Sequence, residues 1–206
     1  IRDRLNMGLA GIPWWTTDIG GFFGANITDE KFHEVLVRWF EYGTFCPVMR
    51  LHGYRMPYQP QQGTTGGAAC VSGAPNEIWS YGDKVYEICK KYLWIRENMR
   101  PYTRKLMKEA HEKGTPVMRP LFYDFSEDYA CWETENQYMY GPNVMVVPVM
   151  EAGADKISVY LPKGAVWMNV WTKKTWEGGQ SIEVETPLDQ MPLFVRDGFV
   201  LDVCEP

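Results

Sequence analysis

The spacing of apolar residues divides this chain near residue 138. Ahead of that point apolar side chains recur at the helical period in separate stretches. Behind it they alternate or cluster in short runs, the period of strands. Ile1, Leu5 and Leu9 share that helical spacing with no capping residue before them, so the chain is expected to begin inside a helix. Gly11 to Phe23 reads as a short apolar strand that runs into Asp18 and the pair Gly20-Gly21. Thr28, Asp29 and Glu30 then supply a helix N-terminus, Phe32, Val35, Leu36, Trp39 and Phe40 form one apolar stripe, and Gly43 ends it. A second strand is predicted over 45–50. Strand, helix and strand joined by short links form the βαβ signature of a parallel sheet or barrel.

Residues 53–81 are rich in Gly, Pro, Gln, Ser and Thr and read as a long irregular excursion after the second strand end. Asp83 is a plausible cap for the next helical region, which continues through Ala110 to Gly114 and Pro116, with Pro101 kinking or splitting it. Beyond residue 137 short strands are predicted over 143–149, 157–161, 165–170, 182–185 and 193–195, parted by Gly and Pro breakers. The chain is therefore expected to combine an α/β part, residues 1–137, with an all-β part, residues 138–206, arranged as an antiparallel sandwich.

Composition narrows the function classes. With 206 residues there is room for one or two domains with real cores, and 45% hydrophobic residues exclude a disordered tail. A net charge of −5 argues against nucleic acid, which demands a surplus of Lys and Arg. Nine Trp and twelve Tyr suit carbohydrate surfaces as well as large cores. The cysteines at 46, 70, 89, 131 and 204 show no metal-ligand spacing and are expected to be reduced, partly buried thiols. No apolar run approaches the length of about 20 residues that spans a bilayer. No cofactor or metal is expected, and the compartment stays undecided.

Two strand ends carry candidate chemistry. Asp18 follows an apolar run bearing Trp14 and Trp15, which puts a hydrogen-bond acceptor beside flat apolar faces, as a pyranose requires. The same Asp could instead cap its turn or pair with Arg50. Arg50 and His52 are two residues apart, so an extended strand points both to one face: a guanidinium to hold a carboxylate and an imidazole to meet a hydroxyl. Phe22 and Phe23 could line a pocket or pack in a core. His33 and His111 read as helix-surface residues, and Asp124, Glu127 and Asp128 as a solvated acidic turn.

Five ordered blocks carry a family resemblance: GIPWWTTDIGGF at 11–22, VRWFEYGTFCPVMRLHG at 37–53, TPVMRPLFYDF at 115–125, QYMYGPNVMVVPV at 137–149 and PLFVRDG at 192–198. Together they resemble glycoside hydrolase family 31, the retaining α-glucosidases and α-xylosidases, over essentially the whole chain. The resemblance implies that residues 1–137 are the last two βα units of a (β/α)8 TIM barrel, followed by an antiparallel β-sandwich domain. It implies substrate-binding roles at the −1 sugar subsite for Asp18, Phe22 and His52, while Arg50 matches the arginine two places before the histidine. The family's nucleophile and acid/base aspartates, on strands four and six, would precede Ile1. No catalytic residue is then expected here, and the chain alone would be inert. The implied partners are an oligosaccharide ending in α-xylose or α-glucose and a missing N-terminal part of the same enzyme. A non-catalytic carbohydrate-binding or scaffolding module is the alternative. The paired tryptophans are similar to the bacterial α-xylosidase branch.

Overall fold

The computed structural model describes residues 1–203, so Cys204 lies outside it. Helix α1 (Arg2–Leu9) buries Leu5 and Gly8 but leaves Leu9 exposed. Of the expected Ile1/Leu5/Leu9 stripe, Ile1 and Leu5 pack with the core and Leu9 does not; the close approach is at Gly8, where an added Cβ would stand 3.1 Å from the Met118 carbonyl.

Helix α2 (Glu30–Thr44) starts as its sequence predicts, with Asp29 as the N-cap accepting from the Lys31 amide at 3.0 Å. Gly43 does not end it. The helix runs one residue further, and Gly43 instead makes room for Ile19, whose Cδ1 would lie 2.6 Å from a Cβ there. The end of α2 is held from outside: Arg96 donates to the carbonyls of Thr44, Cys46 and Pro47 at 2.7–2.8 Å, satisfying acceptors that a helix terminus leaves open.

That capture also explains why no regular strand forms over 45–50. The Cys46 and Pro47 carbonyls are spent on Arg96, the Phe45 carbonyl accepts from Tyr138 Oη at 3.0 Å, and Pro47 has no N–H to give. The run leading to Asp18 likewise forms no regular strand. The two segments still lie side by side: Val48 N–H donates to the Trp15 carbonyl at 3.1 Å, Ile19 N–H to the Arg50 carbonyl at 3.2 Å, and Ile19 and Leu51 form a parallel bridge.

After an irregular stretch with two short 3-10 turns (66–69 and 78–81), α3 (Asp83–Asn98) and α4 (Arg100–Lys113) follow. Asp83 is the first residue of α3 and Gly82 takes the cap position. Pro101 sits in the first turn of α4, where its missing N–H costs nothing, so the helical region splits at Met99. Gly114 ends α4 at φ 70°, a left-handed conformation that favours glycine.

The β part begins earlier than the change in sequence period. Strand β1 (Met118–Pro120) pairs with β2 (Tyr138–Tyr140), so the sheet's first strand precedes residue 138. Short helices α5 (Leu121–Asp124) and α6 (Ala130–Glu133) lie between them. The remaining strands are β3 (Val144–Val146), β4 (Lys156–Leu161), β5 (Val166–Asn169), β6 (Thr175–Glu177), β7 (Gln180–Glu185) and β8 (Leu193–Arg196). Six form an antiparallel sheet in the order β1-β2-β3-β8-β5-β6, and β4 pairs with β7 as a separate ribbon. Alternate residues sort the two faces. Tyr138, Tyr140, Val144, Val146, Leu193 and Val195 pack with the helices, whereas Met139, Met145, Phe194 and Trp167 pack with Val159, Leu161 and Val184 of the ribbon.

Two expected surface features are structural. His33 is half-buried, its Nε2 lying 2.6 Å from the Ile27 carbonyl and its ring edge-on to Tyr81. Asp128 is buried and accepts from Tyr160 Oη at 2.7 Å and from the Lys163 amide at 2.8 Å, while Asp124 pairs with Arg119 at 3.0 Å. Glu127 and His111 are exposed as expected.

Candidate functional site

The parallel segments that meet at Ile19 and Leu51 deliver their ends to one place. Asp18 closes a tight turn in which the Gly21 amide donates to its carbonyl at 2.8 Å. Gly20 stands at φ 81°, and a Cβ there would lie 2.6 Å from Arg55 Nη2, so the turn admits glycine on two counts. From the second segment, Gly53 comes so near that a Cβ would stand 2.5 Å from the Gly21 carbonyl. The backbones then join: Tyr54 N–H donates to the Phe22 carbonyl and Met56 N–H to the Ala25 carbonyl, both at 2.8 Å.

Within this frame Arg50 Nη2 donates to Asp18 Oδ1. Both side chains line an open cleft of about 420 Å³ together with Trp15, Thr17, Phe22 and Trp39. Trp39 Nε1 donates to Thr17 Oγ1 at 2.9 Å, tying the cleft wall to α2. Phe22 is 41% exposed. His52, exposed as well, does not line the cleft itself; its ring lies against Phe22 with centroids 5.3 Å apart. Phe23 and Tyr54 continue the aromatic surface as a stacked pair at 6.2 Å. Asp18, Phe22 and Arg50 are thus brought together, and His52 joins them through Phe22.

The residue that holds the site together escaped the sequence reading. Arg55 is fully buried and has no carboxylate partner among the described residues. It donates to the carbonyls of Gly21, Tyr54 and Ile19 at 2.8–3.0 Å and to Tyr81 Oη at 3.1 Å, so carbonyl dipoles from both loops satisfy its charge. Tyr81 in turn donates to Asn76 Oδ1, and burial raises its hydroxyl above the ordinary phenol value, keeping it a neutral donor. The only sequence signal was an Arg directly after Tyr54 in an irregular stretch, which reads by default as solvated.

Among the described residues no cluster of His, Cys, Asp and Glu could hold a metal ion, and no helix is long and apolar enough to cross a membrane. An ion-paired carboxylate beside exposed rings offers acceptors and donors for hydroxyls and flat faces for C–H groups. Such a surface has the chemistry a polyol would require.

The profile of the glycosyl hydrolases family 31 TIM-barrel domain matches residues 1–106, and that of the family's C-terminal domain matches residues 114–201. The chain belongs to glycosyl hydrolase family 31. It is 36% identical to an alpha-xylosidase of Saccharolobus solfataricus over 98% of its own length and 25% of that protein's. It is 33% identical to alpha-glucosidase 2 of Bacillus thermoamyloliquefaciens over 94% of its length and 22% of the relative's. Among solved structures, a GH31 alpha-xylosidase from a soil metagenome, complexed with xylose, superposes with a TM-score of 0.92 at 49% identity, covering 96% of this chain and 30% of that one. The chain spans about a quarter of the length of these curated relatives. It therefore contains a TIM-barrel portion and the family's C-terminal domain, the latter with antiparallel sheets.

Proposed function

We propose that this chain forms one wall of the terminal-sugar pocket of a retaining α-glycosidase acting on oligosaccharides that end in α-xylose or α-glucose. The observation that carries the reading is the Asp18–Arg50 pair at the rim of a cleft whose neighbouring wall is Phe22 backed by His52. Arg50 engages Oδ1 of the carboxylate and fixes its direction, which leaves Oδ2 to accept from sugar hydroxyls. Phe22 covers a C–H face of the ring, and His52 supplies a further hydrogen-bonding group at the same mouth. On this reading the barrel portion, expected over residues 1–137 and matched by the family over 1–106, is the last two βα units of the barrel. The sparse parallel pairing at Ile19 and Leu51 is what two neighbouring barrel staves would contribute. The β sheets then act as a sandwich that braces it.

Asp18 is a binding group in this scheme. Retaining hydrolysis needs a carboxylate nucleophile and a second carboxyl group as acid and then base, about 5–5.5 Å apart. Those two groups are assigned to residues outside this chain, and residues 1–206 alone are expected to be inactive. The test is Asp18→Ala in the natural full-length protein. Losing a charged hydrogen-bond partner should lower kcat/KM on aryl α-xylosides or α-glucosides by about ten- to a hundredfold. Unchanged kcat/KM overturns the assignment.

A further inference from the structure

The turn that carries Asp18 is held from inside the fold. Gly20 and Gly21 stand at φ 81° and 84°, and a glycine pair has a wide choice of backbone conformations, so a group outside the turn must select one. Arg55 does so. Its Nη2 donates to the Ile19 carbonyl at 3.0 Å and its Nη1 to the Gly21 carbonyl at 2.8 Å, which fixes the peptide planes on either side of the glycine pair. The same Nη1 reaches the Tyr54 carbonyl at 2.9 Å, on the loop that carries His52. One guanidinium thus grips both site loops. It lies wholly within this chain, its Cζ 5.3 Å from the centre of the Phe32 ring.

Arg55 is locked in turn by the return of the long excursion. Its Nε donates to Tyr81 Oη at 3.1 Å, Tyr81 Oη donates to Asn76 Oδ1, and Asn76 Nδ2 donates to the Gly53 carbonyl at 3.3 Å. Gly53 itself lies against the backbone of Gly21 and Phe22, so these contacts close a ring. Ala74 N–H donates to the Arg55 carbonyl at 2.8 Å, and a Cβ on Gly73 would stand 2.7 Å from the Arg55 amide nitrogen, so the returning segment is laid on the Arg55 backbone. Farther out, Gln59 N–H donates to the Ser72 carbonyl at 2.7 Å, and Ser72 N–H to the Gln59 carbonyl at 3.3 Å.

The acceptors lie in different directions around one planar fork, a demand that suits a guanidinium and not the single nitrogen of a lysine. A buried cation also carries a desolvation cost that an apolar side chain of similar size would avoid. Its place between the two site loops therefore points to alignment rather than to stability.

We propose that Arg55 is a positioning residue of the terminal-sugar pocket: it touches no sugar and acts by holding the turn that aims the Asp18 carboxylate, with Tyr81 keeping its fork in place. The proposal rests on reading the Asp18 cleft as that pocket. The test is a double-mutant cycle in the natural full-length protein, read as kcat and KM on an aryl α-xyloside or α-glucoside well below the melting temperature of each variant. Tyr81→Phe keeps the ring that packs on Phe32 and His33 and removes only the hydroxyl. It should lower kcat/KM about tenfold, mostly through KM, and at most about twofold in an Asp18→Ala background. Arg55→Lys, which returns the charge without the fork, should lose more in the parent and again little in that background. Should it fail to fold, Tyr81→Phe decides alone. A brace that serves only stability lowers both backgrounds by one factor. Equal losses in the two backgrounds, or no loss in the parent, overturn the proposal. Failure of the pocket reading looks different: no hydrolysis by the unsubstituted protein, or Asp18→Ala leaving kcat/KM unchanged.

Discussion

At the scale of single residues, the chain's thiols divide by environment. Cys46, Cys89 and Cys131 are buried and free, and desolvation raises their thiols to about 11, about 12 and about 12. Cys70 is exposed on the long excursion. Since the thiolate is the reactive form, iodoacetamide at pH 8 should label Cys70 within minutes and leave the three buried thiols unmodified until the protein is denatured, as peptide mass spectrometry would show. Modification of Cys46 in the native protein would contradict the packing described for the end of α2. The sequence announced reduced thiols because no ligand or pairing pattern links the cysteines. Which one faces water depended on a loop with no period to read.

At the scale of elements, amphipathic helices were the most legible part. Asp29 caps α2 and Pro101 opens α4 because capping and proline chemistry act within a few residues. Residues 45–50 were misread as a regular strand because the Cys46 and Pro47 carbonyls are claimed from a distance by Arg96, and the run at 11–17 keeps one cross-segment bond, from the Val48 amide to the Trp15 carbonyl. Asp18 and Arg50 were named from local context, and their pairing stood among the alternatives. Arg55 was missed because a buried cation satisfied by carbonyls leaves no mark in composition or spacing. Gly53 tests how tightly the two site loops are bound. At φ 132°, with the Gly21 carbonyl 2.5 Å from a would-be Cβ, Gly53→Ala forces the loops apart. It should cost about 2 kcal/mol or more in thermal unfolding, and it should raise KM for any glycoside turned over. A melting temperature within a degree of the parent would mean the loops separate freely.

For the whole molecule, α2 and the β part share one buried junction. Arg38 donates to the carbonyls of Thr186 at 2.6 Å and Pro187 at 3.1 Å and pairs with Glu41 at 3.3 Å. Glu41 is fully buried, its Oε1 has no hydrogen-bond partner among the described residues, and burial pushes its carboxyl up to about 8 against the pull of Arg38 and Tyr92. In the unfolded chain the same group ionises near 4.3. Between these values the folded state keeps a proton that the unfolded state releases, so this group's contribution to stability falls as pH rises from about 4 to about 8. Glu41→Gln should flatten that decline and raise the melting temperature at pH 7.5, measured by calorimetry across the range. An unaltered slope would show that the carboxyl is already ionised. The sequence showed the α/β-to-β order of the chain through its change of period. It did not show that β1 leaves the helical half to join the sheet, since Met118–Pro120 is too short to display a period.

The clamp formed by Arg55 with the Gln59–Ser72 bridge has a practical corollary. Everything distal to that bridge hangs on a closed stem, and residues 63–67 at its end are exposed. A protease cut or a grafted peptide between Thr64 and Thr65 should leave the Asp18 cleft and the Arg55 clamp in register, which makes that tip the natural place to hang a reporter or an immobilisation tag.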